Sequence, residues 1–277
     1  MNETPFIKLN DVTKKFKKTV LLEQVNFSIH KGQSIALRGK NGVGKSTLLK
    51  MISGLSLPTE GVVVYDKRLS FSYVPDHFPK SKLTPLQYLK LVGQIDGFSH
   101  QVTQEKITGL LKDFFMEQMV DTPLAYLSKG SLQKVNVIQG ILKRPDVLLL
   151  DEPLSGQDAS SQRVFIEKMK GLLAQETTLI MSCHETYLMN ELSDVVVEIK
   201  NQQLEIVSHK KHERAPKYSL HFVDEKGDLP LPTFECPVDK VGQTLNMYVD
   251  SSKTDEIIGF MLNQGWSLRG MYHEENN

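Results

Sequence analysis

The sequence predicts an α/β protein with a mixed sheet, followed by a small α+β unit. Two short apolar runs, Ser34–Arg38 and Asp146–Leu150, are typical of strands that are buried on both faces of a parallel sheet. Residues 5–30 instead alternate apolar and polar side chains, as antiparallel strands with one solvated face do. Beyond His209 the polar, basic stretch HKKHERAP marks a change of composition. We therefore expect a main domain over 1–208, a linker over 209–216 and a small unit over 217–277.

Helices dominate the segment from about 76 to 140, which we expect to form a helical subdomain of the main domain. Its first helix has a strong start signal. Thr84 can cap it, Pro85 suits the first helical position, and Gln87 can complete a capping box. Further helices are expected over 101–118 and 131–142.

The remaining elements lie on either side of this segment. Before it we expect a helix from Lys45 to just before Gly54, where glycine allows a left-handed stop, and strands over 61–65 and 71–74. After it we expect a helix over 158–174, a strand over 177–182, a short helix over 184–192, and a hairpin of 194–199 with 203–207. In the small unit we expect a first strand, a Pro-rich loop, a strand over 245–249, a helix over 253–264 and a strand over 266–271.

Composition and charge disfavour several classes of protein. Lys+Arg and Asp+Glu both number 33 among 277 residues, so no net charge argues for nucleic acid as a partner. No apolar run is long enough to span a bilayer, and the N-terminus lacks the features of a signal peptide. Cys183 and Cys236 show no metal-like spacing and are expected to be reduced thiols. We expect a soluble, cytoplasmic chain.

A glycine-rich loop, Gly39–Ser46, lies between a predicted strand and a predicted helix; we call it the phosphate loop. Its pattern G-x-x-x-x-G-K-S lets successive backbone N–H groups point into one concavity, at a helix N-terminus that favours anions. Lys45 would reach the β- and γ-phosphates of a nucleotide, and the Ser46 hydroxyl would ligate Mg²⁺. The expected nucleotide-binding residues of this region are Gly39, Asn41, Gly42, Gly44, Lys45, Ser46 and Thr47.

Two acidic residues close the second buried strand. The apolar run 147–150 ends in Asp151 and Glu152, and Pro153 follows. A phosphate loop needs an acidic residue at the end of a neighbouring strand to hold the Mg²⁺ shell. Asp151 would bind Mg²⁺ through water, and Glu152 could accept a proton from the attacking water. Acidic residues often close strands without a function, but a pair of them beside a phosphate loop favours the catalytic interpretation.

These residues resemble the ATP-binding cassette family, the ATPase subunits of ABC transporters, over roughly residues 6–205. The resemblance implies a mixed-sheet core with an antiparallel subdomain and a helical subdomain. The run LSKGS at 127–131, which we call the signature segment, is similar to the family's L-S-G-G-Q, with Lys129 and Ser131 in place of Gly and Gln. In the family, Ser128 and Gly130 would bind the γ-phosphate held by the other cassette of a dimer. The alternative for Ser128 is an ordinary helix cap.

Three further residues match the family pattern. Asp158 ends a loop similar to the family's S-A-L-D, which implies that it crosses the dimer interface. His184, after the strand 178–183, matches the switch histidine that contacts the γ-phosphate and orders the attacking water. Phe16 matches the aromatic residue that stacks on adenine, with a place in the strand core as the alternative.

One position departs from the family in a way that affects the metal. The family has Gln after the strand that here ends at Pro75, whereas this chain has Asp76. That Gln ligates Mg²⁺ and senses the membrane partner, so Asp76 either still holds the metal or alters the coupling. With these three departures, at Asp76, Lys129 and Ser131, the sequence resembles the bacterial drug-export branch of the family, of the bacitracin- and lantibiotic-resistance type.

The resemblance implies an ATPase that dimerises around two Mg-ATP and drives a separate integral membrane permease, in the direction of export. The dimer would be a homodimer or a heterodimer with another ABC subunit. It would be peripheral on the inner face of the cell membrane through its permease. The alternatives are a soluble cassette with a non-transport role, import in place of export, and a P-loop small-molecule kinase. For residues 217–277, regulation of the ATPase, stabilisation of the dimer and contact with the partner stay open.

Overall fold

The computed structural model describes residues 4–209, 217–225, 227, 229, 238–250 and 253–273. The chain divides into two compact units, residues 1–210 and 211–277. A strand runs through His209, so the first residue of the expected linker belongs to the first unit. Residues 210–216, the rest of that linker, lie outside the described residues, as does Cys236.

The elements of the first unit follow the order expected from the sequence. Its strands are β1 (Ile7–Phe16), β2 (Thr19–Ile29), β3 (Ser34–Arg38), β4 (Glu60–Tyr65), β5 (Phe71–Val74), β6 (Val147–Asp151), β7 (Thr178–Ser182), β8 (Val195–Lys200) and β9 (Gln203–His209). Its helices are α1 (Lys45–Ile52), α2 (Pro85–Ile95), α3 (His100–Asp113), α4 (Lys129–Leu142), α5 (Ala159–Ala174) and α6 (Thr186–Leu192). Two 3₁₀ turns, Glu117–Met119 and Leu124–Tyr126, lie between α3 and α4.

These strands form two sheets, which confirms the predicted α/β class. The larger sheet has the order β5-β6-β7-β3-β8-β9, in which all pairs are parallel except the β8–β9 hairpin. The smaller sheet is antiparallel, in the order β2-β1-β4. Because parallel strands point the same way, the segments that follow β3, β5, β6 and β7 all emerge at one edge of the larger sheet.

Apolar side chains pack on both faces of the larger sheet. Along β6, Leu148 and Leu150 face a core shared with α2 to α6, whereas Val147 and Leu149 face a core shared with α1, β1 and β2. All four side chains are fully buried. Burial of each contributes about 1.5–3 kcal/mol relative to exposure. The strand therefore holds the acidic residues at its end against two separate layers.

Of the helices between β5 and β6, α2 starts as predicted, α4 starts two residues earlier than predicted and ends as predicted, and α3 ends earlier. The capping box of α2 is confirmed, because Thr84 Oγ1 accepts from the Gln87 N–H and the Gln87 side chain accepts from the Thr84 N–H. The prediction of a helix to residue 118 was wrong, since α3 ends at Asp113. The chain turns there at Phe115, whose φ is 57°, and this turn buries Phe114 and Met116 on either side.

In its described residues, the second unit has a four-stranded antiparallel sheet and one helix. Its elements are β10 (Lys217–Val223), β11 (Val238–Val241), β12 (Thr244–Asp250), α7 (Thr254–Asn263) and β13 (Ser267–His273), and the sheet order is β11-β12-β10-β13. Ile257 and Met261 of α7 pack with Trp266 in its core, whereas Tyr272 is exposed. The sequence analysis missed β11, which forms a hairpin with β12, and the expected Pro-rich loop falls largely outside the described residues.

No helix in the described part of the chain combines the length and the apolar character that crossing a membrane requires.

Candidate nucleotide site

The phosphate loop has the backbone that anion binding requires. Gly42 and Gly44 have φ values of 81° and 112°, in a region that favours glycine. Gly44 stands at the N-cap of α1, and among the described residues no side chain caps this helix. The first-turn N–H groups of α1 are therefore free to donate to a phosphate, and the helix dipole adds to the attraction. Ser46 and Thr47 lie half-buried in this first turn.

Lys45 is buried and its ammonium group lies over its own loop. Its Nζ donates to the carbonyl oxygen of Gly39 at 2.8 Å and lies 3.3 Å from Nε2 of His184. A side chain at Gly39 would meet Val43 at 3.0 Å and the carbonyl oxygen of Ile199 at 3.2 Å. The close packing at Gly39 thus keeps its carbonyl where the Lys45 ammonium can reach it.

The phosphate loop and the acidic end of β6, predicted from separate parts of the sequence, meet at the imidazole of His184. Nε2 of His184 lies 3.2 Å from Oδ1 of Asn41 and 3.4 Å from Oε1 of Glu152. Strand β7 makes this possible, because it pairs with β3 on one side and with β6 on the other. Which of these contacts is a hydrogen bond depends on the tautomer of His184, since Nε2 donates to an oxygen only when it carries the proton.

Asp151 is held in a fixed orientation by two residues that the sequence analysis missed. Ser182 Oγ donates to Oδ1 of Asp151 at 2.5 Å, and the hydroxyl of Tyr73 donates to Oδ2 at 3.2 Å. Burial, together with the negative charge of Asp151, raises the pKa of Tyr73 far above its usual value, so the phenol stays a donor. The available signal was weak, because each of these strands contains a second polar residue, Ser72 in β5 and Thr178 in β7.

Directly after the end of β6, the backbone turns sharply at Glu152. Its φ is 48°, and its N–H donates to the carbonyl oxygen and to Oγ of Ser182 at 3.0 and 3.1 Å. Ser182 thereby orients the side chain of Asp151 and the backbone of Glu152. The carboxylate of Glu152 remains one-third exposed and faces His184, where a water molecule has access to it.

The donors at this edge of the sheet fit a Mg²⁺ ion bound together with a nucleotide. Asp151 supplies a buried carboxylate, Ser46 a hydroxyl, and Asp76 an oxygen, Oδ1, that is buried without a hydrogen-bond partner in the described part of the chain. No cluster of three or more His, Cys, Asp or Glu among the described residues could hold a metal by itself. Mg²⁺ commonly binds through one or two carboxylates, with phosphate oxygens and water completing its shell.

The signature segment forms the N-cap and the first turn of α4. Ser128 does cap α4, because its Oγ accepts from the Ser131 N–H at 3.1 Å, and Gly130 lies inside the first turn instead of before the helix. A side chain at Gly130 would come within 2.0 Å of the carbonyl oxygen of Gly156. Within the described residues, no hydrogen bond joins Ser128 to Gly39–Ser46 of the same chain.

Asp158 is engaged within its own chain. It caps α5 by accepting from the Ser161 N–H at 2.9 Å, and its Oδ2 accepts from Nζ of the buried Lys134 at 2.9 Å. The hydrogen bonds from the Ser161 N–H and then from Nζ of Lys134 hold the pKa of Asp158 far below its usual range. Lys134 was not predicted as part of the site, because it lies 24 residues from Asp158 and no local pattern links the two residues.

Replacing Asp158 with asparagine is expected to lower the free energy of unfolding by about 1 kcal/mol at neutral pH. Asparagine still caps α5 but cannot pair with Lys134. Because folding lowers the pKa of Asp158, its contribution is complete above the ordinary value of 3.8 and is lost as the pH falls through the folded pKa. Urea unfolding at neutral pH and near pH ~3 measures this change.

The exposed Asp121, which shows no ion pair in the described part of the chain, offers a matched control. Its change to asparagine should leave the free energy of unfolding unaltered at both pH values. A difference between wild type and the Asp158 variant that does not shrink in acid would contradict the ion pair with Lys134.

Phe16 is the last residue of β1 and is 52% exposed, so it does not belong to the strand core. The adjoining hairpin strand passes close to the phosphate loop, since a Cβ on Gly44 would lie 3.6 Å from Leu21. Nζ of Lys14 lies 5.1 Å from the centre of the Phe16 ring. The exposed ring is thus available for stacking.

The fold and this site together define a class of ATPase in which a phosphate loop, an acidic strand end and a histidine lie at one edge of a parallel sheet. The sequence profile described as ABC transporter matches residues 22–155. The zinc import ATP-binding protein ZnuC of Rickettsia bellii is 30% identical over 198 residues, which cover 70% of this chain and 82% of that protein. The chain belongs to the ABC transporter family and is an ATP-binding subunit that hydrolyses ATP.

Other relatives and solved structures agree with this assignment. The Nod factor export ATP-binding protein I of Ralstonia nicotianae is 27% identical over 270 residues, covering 90% of this chain and 83% of that protein. An ATP-binding subunit of an ABC transporter has a TM-score of 0.66 at 28% identity, covering 72% of this chain and 88% of that one. A dimeric cassette bound to ADP and Pi has the same TM-score at 24% identity, over 72% of this chain and 96% of that one, which shows the shared fold.

Proposed function

We propose that two copies of this chain close around two Mg-ATP and drive a separate integral membrane permease from the inner face of the cell membrane. The observation that carries the proposal is that Ser128 caps α4 and, within the described residues, makes no hydrogen bond to the phosphate loop of its own chain, where Lys45 lies. In a sandwich of two cassettes, each nucleotide takes Ser128 and Gly130 from the other chain. The remaining residues of each site come from one chain: Lys45, Ser46, Asp151, Glu152 and His184.

Each residue of one half-site has a defined task in ATP hydrolysis. Lys45 binds the β- and γ-phosphates, and the Mg²⁺ ion, when bound, neutralises charge on their oxygens. Asp151, oriented by Ser182, holds the metal's water shell. Glu152 accepts the proton of the attacking water, and His184, which lies against both Glu152 and Lys45, aligns that water with the γ-phosphate. Phe16 stacks on the adenine, and Asp158 borders the interface between the two chains.

Export is favoured by how far the similarity extends along the chain. The Nod factor export protein aligns with 90% of this chain, which includes part of the second unit. The zinc import proteins align with 55–70% of it, and a second Nod factor export protein aligns with 65%. The second unit is therefore shared with a relative named for export.

The helical segment is the proposed docking surface for the permease. Several of its large apolar side chains are exposed, among them Leu91 at 47%, Ile95 at 85% and Tyr126 at 81%. Exposed apolar side chains grouped in one region are typical of interaction sites. Because this segment connects Asp76 with the signature segment, a partner bound there would sense both.

Gel filtration with light scattering on Glu152→Gln tests the sandwich. We expect a monomer without nucleotide and a homodimer with Mg-ATP, because the variant binds ATP but hydrolyses it slowly. Adding Lys45→Ala to the same variant provides the control, which should remain monomeric with Mg-ATP. A monomer at saturating Mg-ATP would rule out the homodimer and leave a heterodimer as the alternative.

Purification of the tagged chain from membranes of its native cells, in mild detergent, tests the transport role. We expect a membrane-embedded protein to copurify and to stimulate the ATPase activity. Copurification of ribosomes or DNA in place of a membrane protein would overturn the transport role and support a soluble cassette.

A further inference from the structure

Asp76 and Lys129, two positions where this chain departs from the ABC pattern, lie opposite each other. Nζ of Lys129 is 3.6 Å from Oδ1 of Asp76. The other carboxylate oxygen, Oδ2, is 2.8 Å from Nδ1 of His77. Because Oδ1 is buried and accepts no hydrogen bond within the described residues, the charge of Lys129 is the main compensation it has.

Helix α4 holds Lys129 at a defined place beside the end of β5. Lys129 and Asn136 are seven residues apart, which puts them on one face of the helix. Asn136 is fully buried and donates from Nδ2 to the carbonyl oxygen of Pro75 at 2.6 Å. Further along this face, a Cβ on Gly140 would lie 2.4 Å from the Val74 side chain. The helix is therefore packed closely along β5, and Lys129 stands at the end of the contact.

Asp76 also follows the strand whose Tyr73 contacts the proposed metal ligand Asp151. The hydroxyl of Tyr73, three residues before Asp76, donates to Asp151 at 3.2 Å. The charges of Asp151 and Asp76 both act on this phenol, in addition to its burial. Asp76 thus follows, within two residues of the end of β5, the strand whose Tyr73 contacts Asp151, and its negative charge would act on a cation bound there.

We infer that Lys129 is a positioning residue that competes with Mg²⁺ for Oδ1 of Asp76. Binding of Mg-ATP then opens the Asp76–Lys129 ion pair and releases the loop after β5 from the first turn of α4. An ammonium group and a divalent cation repel each other, so one carboxylate oxygen favours one of them at a time. The inference rests on the proposed metal site, and it requires neither the dimer nor the permease.

Binding of Mn²⁺ to the full-length chain, saturated with a non-hydrolysable ATP analogue, tests this competition. Electron paramagnetic resonance of the free ion gives the affinity without any turnover. We expect Lys129→Gln to raise the affinity for Mn²⁺ about two- to fivefold, as expected for a partly exposed ion pair. Asp76→Asn should lower the affinity, and Lys129→Gln should have no further effect in that background. Lys129→Arg should keep the wild-type value.

Lys82→Gln is the matched control. Lys82 is an exposed lysine in the loop that follows β5 and also carries Asp76, and its loss should leave the affinity for Mn²⁺ unchanged. A gain from Lys129→Gln that persists in the Asp76→Asn background, or that Lys82→Gln reproduces, would overturn the competition. If the expected pattern holds in a chain that never dimerises, the proposed sandwich fails while this inference stands.

Discussion

Glu152→Gln is expected to lower kcat for ATP hydrolysis about 10²–10⁴-fold while ATP binding is retained. The amide cannot accept the proton of the attacking water, yet it has almost the size of the carboxylate. The backbone N–H of residue 152 still donates to Ser182, so the turn at the end of β6 is preserved. Phosphate release in steady state measures kcat, and titration with a fluorescent ATP analogue measures binding.

Glu205→Gln, on the exposed strand β9, provides the control for loss of one glutamate charge. It should leave kcat and nucleotide affinity unaltered. If Glu152→Gln kept more than about a tenth of the wild-type kcat, the water would have another base and the assignment of Glu152 would fail.

Lys45→Ala is expected to weaken ATP binding by at least about 10- to 100-fold, and to abolish measurable hydrolysis. The ammonium group is the positive charge at the centre of the phosphate loop, and charge-assisted hydrogen bonds are the strong ones in such sites. Isothermal titration with Mg-ATP measures the affinity. Thermal unfolding of the variant without nucleotide measures whether it is still folded. If it is, the weaker binding results from the lost charge of the loop.

Lys50→Ala is the matched control, because Lys50 is an exposed lysine on the same helix, α1. This substitution should leave the affinity for Mg-ATP at its wild-type value. Full turnover by Lys45→Ala would contradict the assignment of the phosphate loop.

Local patterns were sufficient to predict most of the elements and the residue types of the site. The glycine spacing of the phosphate loop, the acidic end of β6 and the Thr84 capping box depend on interactions within a few residues, so each was visible in a short stretch of sequence. The end of α3 was predicted wrongly because the burial of Phe114 and Met116 against distant parts of the chain stops the helix there. Strand β11 was missed because its partner β12 provides its stability.

The order of the strands in the larger sheet could not be predicted from the sequence. Strand β3 lies between β7 and β8, which follow it in the sequence by more than a hundred residues. This order brings His184 against Lys45 and Glu152, and it brings Ser182 against Asp151. Strand pairing over such separations depends on the packing of two core layers on the sheet, and no local pattern records it.

The residue types and their spacing were enough to predict the chemistry, an ATPase site with a phosphate loop, an acidic pair and a histidine. The tertiary structure decided which residues support that chemistry. It pairs Lys134 with Asp158 and Lys129 with Asp76 through the placement of α4. The physical reason is that side-chain identity limits what a residue can bind, whereas its partners are set by long-range packing of helices and strands.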